Sequence, residues 1–152
     1  MGLLVETHAG LIRAVSPSIS ANGLLVPEFE VLVRLSRTPR GRLRMSDLAA
    51  QVGLSSSGLT RLVDRLERER LVAREPCPSD RRGAYTVITA SGRRRIGSAV
   101  AQHLEVLDHW FTGLLDAEEL ATLMRLLRKV RDHVNPGATT GAQAAKALTP
   151  VS

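Results

Sequence analysis

Apolar positions along the chain fall into several helical stretches interrupted once by a β pattern. Leu4, Ala9, Ile12 and Val15 form a loose stripe that predicts a helix over residues 2–15, with Pro17 breaking it or starting a new turn. Asn22-Gly23 reads as a helix stop, and Pro27 suits the first turn of a second helix carrying Phe29, Val31, Leu32 and Leu35. That helix is expected to end near Thr38-Pro39. Arg40-Gly41 then forms a turn, and the alternation from Arg42 to Met45 suggests a short strand. Ser46 reads as the cap of a third helix with Leu48, Ala49 and Val52 inward, stopped by Gly53. Ser55 caps a fourth, with Leu59, Leu62, Val63 and Leu66 inward.

Between Leu71 and Ile88 the period changes. Two strand-like runs flank a polar loop rich in Pro, Ser, Asp, Arg and Gly, which predicts a hairpin with a basic tip. Thr89 caps a long helix in which Ile96, Val100, Leu104, Leu107, Phe111 and Leu114 recur every three or four residues. After Asp116 a last helix carries Leu120, Leu123, Leu127, Val130 and Val134, and Asn135-Pro136-Gly137 ends it. Residues 138–152 read as a flexible tail. There is no internal repeat.

Composition narrows the picture. With 152 residues and 43% hydrophobic content, the chain can bury a core. It has no apolar run of membrane-spanning length and no secretory leader pattern, so the expected compartment is the cytosol. Its single cysteine excludes an intramolecular disulfide framework. Four aromatic residues disfavour a single-strand-binding platform, which stacks bases on aromatic rings. The net charge of +6 is unevenly placed: residues 1–33 carry −2, residues 34–95 carry +9 and residues 96–152 carry −1. All fifteen central cations are arginine, whose planar fork suits phosphates and guanine edges. A polyanion partner follows.

The central segment also carries a motif. Ala49 is small where one helix must approach another. Gly53 follows four residues later as the turn, and Leu59 six residues after that as a buried anchor. This is helix-turn-helix spacing, in which the second helix enters the major groove of double-stranded DNA. With Leu59, Leu62, Val63 and Leu66 inward, the polar residues Ser55, Ser56, Ser57, Thr60 and Arg61 are left to face DNA, beside a helix N-terminus whose amides favour phosphate. The basic tip at Ser79–Gly83 is placed to insert Arg into the minor groove.

The run LAAQVGLSSSGLTRLVDRLERERLVAREPCPSDRRGAYTVITASG, residues 48–92, resembles the MarR family of winged-helix transcription regulators. The closest pieces are LTRLVDRLE, the SDRR wing and the Thr89-x-x-Gly92 pair. The flanking helices extend the resemblance over about residues 1–134. It implies a mainly α fold with a small β-hairpin wing, a winged helix-turn-helix whose homodimer interlocks through the N- and C-terminal helices. The expected division is residues 1–33 for dimerisation and the start of the second helix, 34–92 for the DNA-binding lobe, 93–134 for the C-terminal dimerisation helices and 135–152 for the tail. The resemblance assigns Ser56, Ser57, Thr60 and Arg61 to recognition-helix contacts and Asp80 and Arg82 to the family's Asp-x-Arg wing. Asp80 would orient Arg82 into the minor groove, with Arg81 second. The implied activity is that of a dimeric repressor on a pseudo-palindromic operator, released by a small-molecule effector.

Three features depart from the family. Arg70 replaces the usual Gly before the first wing strand, so it adopts a left-handed conformation at a cost or the helix ends differently. Gly58 stands where Ser, Thr or Ala is usual. The N-terminal helix is short.

Other residues carry less. His8, His103, His109 and His133 are scattered, so no metal or other cofactor is expected. Cys77 lies at the base of the wing, whereas peroxide-sensing relatives carry their cysteine in the first helix. Trp110 and Phe111 are assigned to a dimer core, and Arg13 is the weak candidate for pairing an acidic effector. No grouping suggests an enzyme, and Glu118-Glu119 merely suits a helix start. The competing reading is a winged helix serving non-specific DNA compaction or protein assembly.

Overall fold

A computed structural model of the chain describes residues 2–77 and 80–139, and for residues 80–82 the backbone alone. The described elements are α1 (Gly2–Ala21), α2 (Val26–Ser36), β1 (Arg42–Arg44), α3 (Met45–Val52), α4 (Ser56–Arg68), β2 (Val72–Cys77), β3 (Asp80–Ile88), α5 (Ala90–Trp110) and α6 (Ala117–Val134). Short 3-10 turns lie at Pro39–Gly41, Thr112–Leu114 and Pro136–Thr139. The fold is mainly helical, with a small antiparallel sheet as the wing. No described helix is long and apolar enough to cross a membrane.

The core is built around α2. Its Val31, Leu32 and Leu35 have no exposed surface. Around them pack Leu48 of α3, Leu59, Val63 and Leu66 of α4, Leu71, Val72 and Ile88 of the wing, and Ile96 and Ala99 of α5. The sheet has the order β1-β3-β2, both pairings antiparallel. The pairing of Val72 with Ile88 through Pro76 with Ala84 is regular, and the register shifts between Pro76 and Cys77. A proline there has no N–H for the ladder.

The joint between wing and α5 explains the Thr-x-x-Gly pair. Thr89 Oγ1 accepts from Gly92 N at 3.0 Å, capping α5, and donates to the Arg70 carbonyl at 2.7 Å. A Cβ at residue 92 would collide with the Leu71 carbonyl, so glycine is required by close approach. Arg70 takes the left-handed conformation, φ 59°. The chain thus keeps the backbone path and accepts the cost.

Four expectations change. The first helix is not short: α1 runs unbroken through Pro17 to Ala21. Proline removes one helical N–H, but Val15 and Ile19 on either side are buried, and α1 packs along α5. Ser46 is not a cap. Strand β1 runs straight into α3, Arg44 holds the cap position, and no side chain bonds there. The seam of α5 is cut short, because the helix ends at Trp110, leaving Phe111 as its C-cap and Leu114 in a 3-10 turn. The start of the supposed tail is docked: Ala138 is buried, its carbonyl accepts from Arg34 Nη1 at 3.2 Å, and the Pro136–Thr139 turn packs on α3. Residues 140–152 lie outside the described ones.

Candidate nucleic-acid interface

Leu48 and Ala49 bury one face of α3 against α4, and the chain turns at Gly53 with φ 67°. The turn is closed by Leu54 N donating to the Ala49 carbonyl at 3.0 Å. Ser55 then caps α4, its Oγ accepting from Gly58 N at 3.1 Å. A Cβ on residue 58 would lie 3.2 Å from that same Oγ. Glycine at 58 therefore leaves room for the cap, a reason the sequence pattern did not show.

With Leu59, Val63 and Leu66 inward, Ser56, Ser57, Thr60 and Arg61 are exposed on the opposite side of α4. Their hydroxyls are not equivalent. Thr60 Oγ1 donates to the Ser56 carbonyl at 2.8 Å, which leaves it an acceptor. Ser57 Oγ lies 3.2 Å from Ser55 Oγ and keeps both roles. No ion-pair partner of Arg61 occurs among the described residues.

Several arginines that looked available to DNA are turned toward protein. Arg74 of β2 reaches Glu67 and Asp64 of α4, each at 2.6 Å, and joins the wing to the recognition helix. Arg65 is paired with Glu28 at 2.8 Å and Arg42 with Glu75 at 3.6 Å. Sequence order gave no signal for these pairs, because the carboxylates arrive from other elements. Between the wing and α4 lies a groove of about 650 Å³, lined by Arg44, Ser46, Thr60, Arg74 and Gly83 among others. Arg42 and Arg44 flank the Tyr85 ring at 4.7 and 5.9 Å from its centroid. A hydrogen bond with Tyr85, reinforced by Cys77, holds the Arg44 guanidinium protonated above its ordinary value.

The backbone of Asp80, Arg81 and Arg82 opens β3, beyond the register shift. Their side chains lie outside the described residues. Cys77 is not at the base of the wing. It is buried at the far end of β2, opposite Asp80. Arg13 lines a hollow of about 480 Å³ together with Thr7, Leu11 and Trp110. Trp110 itself is exposed, with its ring edge-on to His109. Among the described residues no three His, Cys, Asp or Glu side chains converge as metal ligands.

The MarR family model matches residues 22–83, the turn before α2 through the wing. AbsC, a MarR family transcriptional regulator from Streptomyces coelicolor, superposes with a TM-score of 0.81 at 32% identity, over 87% of this chain and 89% of AbsC. The chain belongs to the MarR family. Sco3205, another MarR regulator of Streptomyces coelicolor, was solved in complex with DNA. It matches with a TM-score of 0.80 at 28% identity, over 88% of this chain and 84% of that one. CouR from Rhodococcus jostii RHA1, bound to p-coumaroyl-CoA, matches with a TM-score of 0.73 at 30% identity, over 86% of this chain and 87% of CouR. MarR proteins are DNA-binding transcription regulators rather than enzymes. The winged helix-turn-helix fold that the resemblance implied is the one this MarR chain adopts.

Proposed function

We propose that this chain is a sequence-specific repressor that binds double-stranded DNA as a homodimer in the cytoplasm. The observation that carries the reading is the exposed polar start of α4, where Ser57, Thr60 and Arg61 stand beside a basic wing on a firmly packed helix. A major groove takes such a helix, with hydroxyl and guanidinium groups meeting base edges and phosphates. Arg82, oriented by Asp80, enters the adjoining minor groove, with Arg81 second. The DNA complex of Sco3205 supports the partner class.

Dimerisation is supported by apolar surface that one chain leaves uncovered. Leu3, Leu4 and Val5 of α1, Leu104 and Trp110 of α5, and Leu127, Val130 and Val134 of α6 are all exposed. No residue of α6 is buried, although one stripe of it is leucine and valine. A second copy of the same surfaces covers them. On this reading residues 34–92 read DNA, while residues 1–33 and 93–134 hold two copies together. Release by a small molecule is supported by the ligand in CouR, and the hollow beside Arg13 and Trp110 suits an acidic aromatic compound.

Selection of bound duplexes from a random double-stranded pool, at moderate salt, tests the reading. The expected product is an inverted repeat with half-sites about one helical turn apart. A pool that stays random while binding steeply with salt favours compaction, and no binding at all favours protein assembly. Either result overturns the repressor reading.

A further inference from the structure

Glu28 has no exposed surface, and DNA reading as described makes no use of it. It sits in the first turn of α2, just past the turn from α1. Its Oε2 accepts from Leu25 N at 2.8 Å. Its Oε1 lies 2.8 Å from Arg65 Nε on the recognition helix α4. Arg65 also approaches Glu69 of its own helix, at 3.5 Å, but that partner is exposed. The α1–α2 turn is tied in its own right to α5. Asn22 Nδ2 donates to Gln102 Oε1 at 2.7 Å, and the Asn22 carbonyl accepts from Arg95 Nη1 at 3.0 Å. Polar contacts thus run from α5 through the turn to α4. Among the described residues, no other ion pair joins α2 to α4.

Close packing of Leu59, Val63 and Leu66 already resists a roll of α4, and a buried carboxylate adds to that resistance, because separating it from its cation leaves a charge without solvent. One oxygen accepts from a backbone N–H, while the other meets the guanidinium as an ion-pair contact without a hydrogen bond, so attraction between the two charges is what ties α4 to α2 here. Arg65 stands four residues after Arg61, so the two share a face of α4. Holding Arg65 therefore fixes the direction in which Arg61 and its neighbours point.

We propose that Glu28 is a positioning residue for DNA recognition, which through Arg65 sets the roll of α4 so that Ser57, Thr60 and Arg61 meet base edges in register. The proposal rests on the sequence-reading function above. It also assigns Arg65 to protein rather than to phosphate.

The test measures binding of wild type, Glu28→Gln, Arg65→Gln and the double variant. Each is titrated, across a range of salt, with the duplex recovered by selection and with a scrambled duplex. Glu28→Gln keeps an oxygen for Leu25 N and loses the charge. Each single variant is expected to reduce the preference for the selected duplex about tenfold. Affinity for the scramble and its salt slope stay at wild-type values, and the double variant is no worse than either single. Additive losses, equal losses on both duplexes, or a salt slope lowered by about one in Arg65→Gln would overturn the proposal. Should Glu28→Gln fail to fold, Arg65→Gln decides alone, since that side chain is half exposed. Arg65→Gln folded and with wild-type preference sinks the idea. A wild type with no preferred sequence overturns the DNA-reading function and this inference together, whereas a preference that both variants retain overturns this inference only.

Discussion

Arg70 holds φ 59° between α4 and β2, where a Cβ is strained. The left-handed region costs a residue with a Cβ about 1–2 kcal/mol. Arg70→Gly should therefore stabilise the chain by about 1 kcal/mol, net of glycine's greater freedom when unfolded. In a protein of this size that raises the midpoint of thermal unfolding by about 2–4 °C. An unchanged or lower midpoint in a calorimetric scan would count against strain at this residue. The sequence showed the oddity, since glycine is the usual occupant, but left both outcomes open. Only the backbone shows that the path through Leu71 to Thr89 is fixed on both sides, by the Thr89 hydroxyl and the Gly92 approach. Gly58 was opaque for a similar reason. Its explanation is the Oγ of the residue three positions earlier, and composition does not report how close that atom comes. His103 is a further case: partial burial and the nearby Arg37 push its pKa down, while its ring lies 4.8 Å from Phe29. Nothing in the spacing of the four histidines indicated that environment.

Helices and strands divide their labour at the next scale. The wing is expected to supply affinity and α4 to supply preference. Replacing Arg82 by Ala should weaken binding and lower the salt slope by about one, because one cation is lost from the DNA interface. Replacing Thr60 by Ala should instead alter the preferred base at one position of each half-site, by about 1–3 kcal/mol of discrimination. Parallel selections with the two variants check both, and a Thr60 variant that recovers the wild-type sequence would remove Thr60 from base contact. Elements with a clean period were legible: α4 and the hairpin follow from Leu59, Val63 and Leu66 and from the alternation near Val87. The caps at Ser55 and Thr89 were equally plain, and each side chain accepts from an amide of its helix; the Asp116 cap shows only in the structure. Helix α1 was misjudged because proline is a local signal, while burial of Val15 and Ile19 is a tertiary one. Ser46 was misjudged because nothing local announces that β1 and α3 are continuous.

For the whole molecule the uncovered surface decides. A helix with a leucine and valine stripe and no buried residue marks an interaction surface, which the proposed homodimer covers. The spacing of Leu120 to Val134 predicts the stripe, although it could not say which residues stay bare within one chain. Leu127→Asp would place a charge in the centre of the proposed contact. The variant should sediment as a monomer at micromolar concentration and lose binding to the inverted repeat, while wild type sediments as a dimer. A dimeric Leu127→Asp variant would show that α6 is covered in some other way. In the proposed dimer two copies present two α4 helices on one side, which would make the inverted repeat a consequence of symmetry.

The most direct measurement is a titration of the wild-type protein with the selected inverted repeat and with a scrambled duplex of the same composition, at physiological salt. The account predicts one dimer bound per inverted repeat, at least about a thousandfold more tightly than to the scramble. Equal affinity for the two duplexes would contradict it.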